Sequence, residues 1–386
     1  MSVLISFPRQ VRIGPGAIKE LGEVLRGLRL RRPMLVTDAF LVSTGLAARV
    51  VTLLGESDLT PAVFDRTVAD PTTASLADGV AAVHAHQADC LIGLGGGSPM
   101  DSAKALAVLA HQGGPMRKFK APNSYSGPAL PVIAVPTTAG SGSEATQFTV
   151  ISDSDTSEKM LCTGLSFLPV AAIVDFELTI SMPPRLTADT GVDALTHAVE
   201  AYVSRKANPV SDSLALSAIR LIAGNLKRAY RDGSDAAARE AMMLASTQAG
   251  MAFSNSSVAL VHGMSRPIGA HFQVAHGLSN AMLFPAVTQF SVSGAPKRYA
   301  ECGRAFGVAG ADTSDSVAAE VLVEALIELC AELEVPTPRS YGIDPHDWES
   351  LTPLMAQQAM ASGSPANNPV VPTAQQIEAI YAGVYG

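Results

Sequence analysis

The pattern of apolar residues changes once along the 386-residue chain, at the pair Pro183-Pro184. Before this pair, short apolar runs such as "PMLVTD", "DCLIGLGGG" and "LPVIAVPTT" predict strands, and they alternate with helical patterns such as "SPMDSAKALAVLA". After it, long stretches such as "SDSLALSAIRLIAGNLKRAY" and "DSVAAEVLVEALIELCAEL" are apolar at helical spacing. Alternation of strands and helices is typical of βαβ units around a buried parallel sheet. The sequence therefore predicts an α/β domain followed by an all-α domain.

The proline pair also gives the predicted domain boundary, because proline interrupts both helices and strands. We predict an α/β domain over residues 1–182 and an all-helical domain over residues 183–386. A hydrophobic content of 47% is enough to bury a large core in each.

Charge and cysteine content exclude several classes of protein. The chain carries 27 basic and 35 acidic residues, a net charge of −8 without any long block of one sign, which argues against nucleic-acid or anionic-membrane partners. No C-x-x-C pair is present, so neither a disulfide framework nor a thiolate metal site is indicated. The N-terminus lacks the apolar core of a signal peptide. We expect a cytoplasmic protein that acts on small molecules.

A run of three glycines, Gly95, Gly96 and Gly97, separates a predicted strand from a predicted helix in "LIGLGGGSPMDSAKAL". Glycine lets the backbone approach a phosphate closely, and a helix start offers free N–H groups. Ser98 suits the N-cap of this helix and Pro99 its first helical position. An ordinary tight turn is the alternative, and the run does not match G-x-G-x-x-G.

A second loop of small residues, "PTTAGSGSEAT" at 136–146, follows another predicted strand. Two such loops after parallel strands indicate one ligand at the carboxyl edge of the sheet. Asp38 ends a third predicted strand, where an acid could bind a ribose diol and repel a 2′-phosphate. A helix cap is the alternative role for Asp38.

Asp193 and His197 lie one helical turn apart in "TADTGVDALTHAVEAY", on a face that is otherwise apolar. A buried carboxylate needs a cationic partner or a metal, although a hydrogen-bonded core pair would also explain it. Further along the chain, His262 and His276 each precede a glycine and flank a predicted turn at Pro267. Three imidazoles and one carboxylate suit Fe²⁺ or Zn²⁺.

Several long motifs, in order, resemble the iron-containing (group III) alcohol dehydrogenase family over nearly the whole chain. They are "FPRQVRIGPGAIKEL", "GGGSPMDSAKA", "PTTAGSGSEAT", "MPPRLTADTGVDALTHAVEAYVS" and "HGLSNAML". The resemblance implies a Rossmann-like first domain that binds NAD(P) and a helical second domain that binds the metal, as in dehydroquinate synthase-like folds. It also implies a reaction in the cleft between them.

The resemblance assigns the metal ligands to Asp193, His197, His262 and His276, which would act in catalysis through the metal. Fe²⁺ is expected and Zn²⁺ is the alternative. The predicted cofactor-binding residues, from the resemblance and from the two loops, are Asp38, Asp70, Gly95, Gly96, Gly97, Ser98, Asp101, Thr137, Thr138, Ser141, Thr146, Phe148, Lys159 and Leu178. Asp38 at its position is associated with NAD rather than NADP.

Two residues depart from the pattern of many members. Arg266 stands where they have a histidine near the substrate, and Asp70 stands where they have asparagine. A guanidinium stays charged, so Arg266 cannot relay a proton, but it could contact an acidic substrate.

We predict an NAD-linked alcohol dehydrogenase or aldehyde reductase for short-chain substrates. One alternative is a dehydrogenase of acidic hydroxy compounds of the 4-hydroxybutyrate/succinic semialdehyde type, and another is a lyase of the dehydroquinate synthase type. The resemblance further implies a homodimer or larger homo-oligomer, in which the N-terminal "VLISF" could pair as a strand.

Overall fold

The computed structural model describes residues 2–156 and 158–386. Two compact units are present, Ser6–Ser181 and Met182–Gly386, the second also including residues 2–5. No helix in these described residues is both long enough and apolar enough to cross a membrane.

The first unit contains a six-stranded sheet in the order β1-β8-β5-β4-β2-β3 with every neighbouring pair parallel. A separate antiparallel hairpin is formed by β6 and β7. The strands are β1 (Gln10–Ile13), β2 (Pro33–Val36), β3 (Ala62–Phe64), β4 (Cys90–Gly95), β5 (Val132–Pro136), β6 (Phe148–Ser152), β7 (Lys159–Thr163) and β8 (Ala171–Val174). The helices of this unit are α1 (Leu21–Gly27), α2 (Ala39–Ser43), α3 (Leu46–Gly55), α4 (Thr73–His86) and α5 (Gly97–Gln112).

Strands β2, β4 and β5 are the three runs predicted from the sequence, and all of their residues are buried. Continuous apolar runs of this kind are expected for strands covered on both faces of a parallel sheet. One hydrophobic cluster packs Leu25, Leu35 and Leu54 on one face, and another packs Leu76 and Leu106 on the other. The three central strands end at one edge of the sheet, which is where the glycine run and the 136–146 loop begin.

The second unit contains no strand among residues 182–386, all of which the structure describes. Its helices are α6 (Pro184–Val203), α7 (Pro209–Arg231), α8 (Ala236–Ser254), α9 (Leu260–Phe272), α10 (His276–Ser291), α11 (Pro296–Phe306), α12 (Asp315–Glu332), α13 (Pro338–Tyr341), α14 (Pro345–Ala361) and α15 (Ala374–Val384). Helix α6 is buried over nearly its whole length because α7, α8 and α10 pack around it. The predicted α/β fold followed by helices is confirmed.

Three local predictions differ from the structure. Helix α5 begins at Gly97 with Gly96 as N-cap, so Ser98 lies inside the first turn and does not cap it, and Pro99 is the third helical residue rather than the first. Pro267 lies within α9, and the turn follows at Gln273, whose φ of 55° ends the helix. A proline removes one backbone hydrogen bond but does not always end a helix. Residues 3–7, the "VLISF" segment, pair with no strand of this chain, and their predicted pairing between two copies of the chain stays a prediction.

Candidate metal centre and nucleotide-binding loops

One face of α6 carries three ionisable side chains at successive turns: Asp193, His197 and Glu200. Their side chains are 6%, 6% and 4% exposed. Spacings of four and then three residues bring side chains to the same face of a helix. This face packs against α9 and α10, which carry His262 and His276.

The ligating atoms of Asp193, His262 and His276 all lie within 4.8 Å of one another. Asp193 Oδ1 is 3.6 Å from His262 Nε2 and 3.9 Å from His276 Nε2. Ligands about 2.0–2.2 Å from a tetrahedral ion stand roughly 3.3–3.6 Å apart, so small adjustments would bring these atoms onto one cation. His276 has a side chain that is 40% exposed, which leaves the cluster accessible on that side.

His197 lies beside this cluster of three. Its Nδ1 is 4.0 Å from Asp193 Oδ1, and its ring stacks between the ring of His262, at a centroid distance of 4.4 Å, and that of Phe253, at 4.2 Å. All four residues predicted to bind the metal are therefore neighbours, with three in mutual ligand range.

The amide of Asn280 shows that this cluster suits a cation. Its Nδ2 is 2.6 Å from Asp193 Oδ1, 3.2 Å from His262 Nε2 and 3.3 Å from His276 Nε2. An amide group has two protons for these three acceptors, and the buried Oδ1 of Asn280 has no hydrogen-bond partner within the described part of the chain. Acceptor atoms that converge on one donor without being fully satisfied are what a divalent ion requires.

Electrostatics favour positive charge at the same point. Burial opposes ionisation of Asp193, but the imidazoles of His197, His276 and His262 outweigh burial and hold the pKa of Asp193 well below its usual range. Burial lowers the pKa of His262, and the carboxylates of Glu200 and Asp193 more than reverse this effect. Asp193 is thus a carboxylate at neutral pH and available as a ligand.

The glycine after each of the two histidines allows its helix to pack closely. A Cβ on Gly277 would lie 2.5 Å from the carbonyl oxygen of Asp189 on α6, and one on Gly263 would lie 2.9 Å from the ring of Pro365. The two His-Gly pairs seen in the sequence therefore set the distance between α10 and α6 and between α9 and the 364–367 turn.

In the first unit, the glycine run and the second loop lie against each other. The Thr137 N–H donates to the carbonyl oxygen of Gly95 at 2.9 Å. A Cβ on Gly96 would lie 3.5 Å from the Thr138 side chain, and one on Gly97 would lie 3.4 Å from that of Ser141. No side chain of residues 2–156 or 158–386 caps the N-terminus of α5, which leaves this positive helix end available to a phosphate.

A fully buried lysine on α5, Lys104, holds the end of the second loop in place. Its Nζ donates to Ser143 Oγ, to the Thr146 carbonyl and hydroxyl, and to the Phe148 carbonyl, at 2.8–3.1 Å. Asp101 accepts from Ser143 Oγ at 2.7 Å and from the Val150 N–H at 2.8 Å. Sequence reasoning missed Lys104, although a lysine within a predicted apolar helix is a signal.

The other predicted cofactor residues are distributed around these loops. Asp38 caps α2 by accepting from the Leu41 N–H at 2.8 Å, and Leu178 packs in the hydrophobic core. Asp70 has a φ of 50°, its N–H donates to Ser98 Oγ, and its carboxylate pairs with Lys159 at 3.0 Å. Their roles in cofactor binding stay predictions.

Arg266 lies on α9 one turn after His262 and is partly buried. Its Nη1 donates to Ser364 Oγ at 3.1 Å. Among the described residues, no carboxylate lies within ion-pair distance of its guanidinium. Burial lowers the pKa of Arg266, and the charge of Glu200 raises it by less.

Comparison with known proteins agrees with this geometry. Residues 8–176 match the family described as iron-containing alcohol dehydrogenase, and residues 187–385 match the C-terminal part of the Fe-containing alcohol dehydrogenase family. The NAD-dependent methanol dehydrogenase of Bacillus methanolicus is 37% identical over 95% of this chain and 96% of that protein. The 1,3-propanediol dehydrogenase of Klebsiella pneumoniae is 36% identical over 95% of each chain.

A crystal structure of 1,3-propanediol oxidoreductase superposes with a TM-score of 0.95, at 35% identity over the full length of both chains. These matches confirm the resemblance that was read from the motifs. The chain is an oxidoreductase that belongs to the iron-containing alcohol dehydrogenase family.

Proposed function

We propose that this enzyme interconverts a short-chain alcohol and its aldehyde with NAD, using a divalent ion held by Asp193, His197, His262 and His276. The observation that carries the proposal is the convergence of three acceptor atoms, within 4.8 Å, from helices α6, α9 and α10. The relatives compared above are dehydrogenases, which leaves the lyase alternative without support.

When bound, the ion would supply a Lewis acid for the substrate oxygen and the nicotinamide would carry the hydride. The protein supplies orientation and charge. Asp193 contributes the one negative charge of the ligand set, so a divalent ion keeps a net positive charge there. The ring of Phe253 stacks on that of His197 at a centroid distance of 4.2 Å and covers this ligand with an apolar surface.

We propose that the cofactor phosphates bind residues 95–98 and the uncapped start of α5, with the 136–146 loop on the other side. The close approach of Gly96 to Thr138 supports this assignment, because a side chain at position 96 would fill the gap between the two loops. Asp38 at the end of β2 favours NAD over NADP through repulsion of a 2′-phosphate.

The test is absorbance at 340 nm with a panel of alcohols and aldehydes, each with NAD or NADP, after loading with Fe²⁺ or Zn²⁺. Asp193→Ala and His262→Ala should lose both metal content and turnover. His346→Ala, at an exposed position on α14, is the control and should keep both. Full turnover and metal content in Asp193→Ala would contradict the proposal.

Arg266 supports a second candidate, in which the substrate is an acidic aldehyde such as succinic semialdehyde. Its guanidinium is partly buried, close in sequence to a metal ligand, and bonded only to a serine hydroxyl among the described residues. A substrate carboxylate would supply the missing negative partner through a two-pronged hydrogen bond.

Comparing kcat/KM for butanal and succinic semialdehyde tests this candidate. Arg266→Met should lower kcat/KM for the acid at least about tenfold, corresponding to one charge-assisted hydrogen bond of roughly 1.5–3 kcal/mol, and change the value for butanal little. Equal losses on both substrates would give Arg266 a structural role.

The identity of the ion, the oligomeric state and the cytoplasmic location are further proposals. Family membership favours Fe²⁺, and elemental analysis of anaerobically purified protein distinguishes it from Zn²⁺. We infer a homo-oligomer because Val3, Leu4 and Phe7 are 56%, 76% and 38% exposed in an unpaired segment. Light scattering measures its mass, and a monomer would contradict the inference.

A further inference from the structure

Glu200 is a buried carboxylate on α6 that the predicted ligand set does not include. Its Oε2 accepts from the Ala259 N–H at 2.7 Å and contacts His262 Nδ1 at 2.7 Å. Its Oε1 accepts from the Val261 N–H at 2.6 Å. The side chain is 4% exposed, so these three groups replace water around a charge that would otherwise be costly to bury.

Two of these bonds cap the N-terminus of α9, because they provide acceptors for the backbone N–H groups of Ala259 and Val261. This helix begins at Leu260, and its N-cap Ala259 has no side chain that could cap it. The first amides of a helix need acceptors, and a negative charge is favourable at this end of the helix dipole. Glu200 therefore caps α9 from a different helix.

The third bond determines where His262 carries its proton. A carboxylate at neutral pH only accepts hydrogen bonds, so the ring nitrogen facing Glu200, Nδ1, must be the protonated one. In a neutral ring the lone pair then lies on Nε2, the atom that faces Asp193 Oδ1 and accepts from Asn280 Nδ2. This is the form of the imidazole that binds a metal.

We propose that Glu200 is the positioning residue of the metal centre: it fixes the tautomer and orientation of His262 and fastens the helix that carries this ligand. The inference rests on the proposed metal site and adds a residue to it. Carboxylates that orient metal-binding histidines typically change metal affinity by about 10- to 100-fold when they are replaced.

Glu200→Gln cannot keep all three bonds, because a carboxylate has two acceptor oxygens whereas an amide has one acceptor and one donor group. If its oxygen faces Nδ1, its NH₂ opposes the Val261 N–H, and if it faces Val261, its NH₂ stabilises the His262 tautomer with a proton on Nε2. Either arrangement weakens the site. Asp344→Ala is the matched control, since the Asp344 side chain caps α14 through the backbone amides of His346 and Asp347.

The experiment is Zn²⁺ affinity of the metal-free protein, by competition with a chromogenic chelator, at a temperature below the melting point of each variant. We expect Glu200→Gln to bind Zn²⁺ 10- to 100-fold more weakly than the wild type, and Asp344→Ala to lose thermal stability with its Zn²⁺ affinity within twofold of wild type. Equal affinity in Glu200→Gln and wild type would overturn the inference. Absence of Zn²⁺ and Fe²⁺ binding in the wild type would instead overturn the proposed metal site.

A measurement on the wild type covers the case in which Glu200→Gln does not fold. In metal-free protein labelled with ¹⁵N-histidine, long-range ¹H–¹⁵N spectra report which ring nitrogen carries the proton, and the His262 signals are those that disappear in His262→Asn. We expect a proton on Nδ1, whether the ring is neutral or charged. A proton on Nε2 alone would contradict the role of Glu200.

Discussion

Replacing Lys104 with methionine should destabilise the first unit and loosen the second nucleotide loop. The Lys104 side chain is fully buried, and four acceptors on residues 143–148 share the three protons of its ammonium. Methionine fills a similar volume but cannot donate. Removing one partner of a buried, hydrogen-bonded charged group costs about 3–5 kcal/mol.

Desolvation of the Lys104 ammonium offsets part of the stability that its hydrogen bonds contribute, so its removal costs less than those bonds alone suggest. Desolvation, opposed by Asp101 and Glu144, lowers the pKa of Lys104 to about 8 from 10.5. We therefore take the lower end of the range, about 3 kcal/mol. For a domain of this size, about 2–4 °C per kcal/mol gives a fall in melting temperature of roughly 6–12 °C.

Thermal unfolding of the metal-free protein, followed by calorimetry with and without NAD, measures this change. Lys118→Met is the control, because Lys118 is an exposed lysine of the same unit and its replacement should change stability by less than about 0.5 kcal/mol. NAD should stabilise Lys104→Met less than it stabilises the wild type. A melting temperature within 2 °C of wild type would refute the reasoning, since the four hydrogen bonds would then not hold the loop.

Three further predictions concern Lys104, the packing of α10 against α6, and Asp38. The pKa of Lys104 is lower in the folded protein than in the unfolded chain, so the unfolded chain binds more protons from about pH 8 to 10.5 and stability rises with pH in this window. In urea unfolding, the difference in free energy of unfolding between wild type and Lys104→Met should therefore widen by about 1 kcal/mol from pH 7 to pH 9. A difference that stays constant with pH would contradict this prediction. Gly277→Ala places a Cβ 2.5 Å from the Asp189 carbonyl oxygen, so α10 must shift and the free energy of unfolding should fall by about 1–3 kcal/mol. We expect at least tenfold weaker Zn²⁺ binding by chelator competition. Unchanged affinity would show that the helices adjust without moving His276. Asp38→Gly should raise the ratio of kcat/KM with NADP to kcat/KM with NAD at least about tenfold, because it removes one charge that repels the 2′-phosphate. An unchanged ratio would place the adenosine ribose away from Asp38.

Features with a local cause could be predicted from the sequence. The buried parallel strands follow from short apolar runs, and the α6 pair follows from a polar spacing of four residues within an apolar helix. The glycine run between β4 and α5 could also be predicted. Glycine adopts the φ of 147° at position 95 without strain, and a Cβ there would lie 2.6 Å from the ring of Pro99.

Features that depend on contacts between distant segments could not be predicted. The sequence does not distinguish Glu200 from other acidic residues on helices. Its role depends on two backbone amides and an imidazole at the start of α9, about 60 residues later in the chain. Asn280 likewise could not be identified from the sequence, because its role depends on three acceptors that the fold brings together around its amide. Residue preference alone predicted Ser98 as an N-cap, but the helix begins two residues earlier than that cap implies. The hydroxyl of Ser98 accepts from the Asp70 N–H instead.

Anomalous diffraction at the iron K edge tests the central claim most directly. Crystals of protein purified without oxygen and supplied with Fe²⁺ should show one strong peak in contact with Asp193 Oδ1 and the Nε2 atoms of His262 and His276, with His197 turned toward it. In the same map the Asn280 amide should have moved away from the position between these acceptors. A peak at another place, or no peak in protein that turns over an alcohol with NAD, would contradict the account.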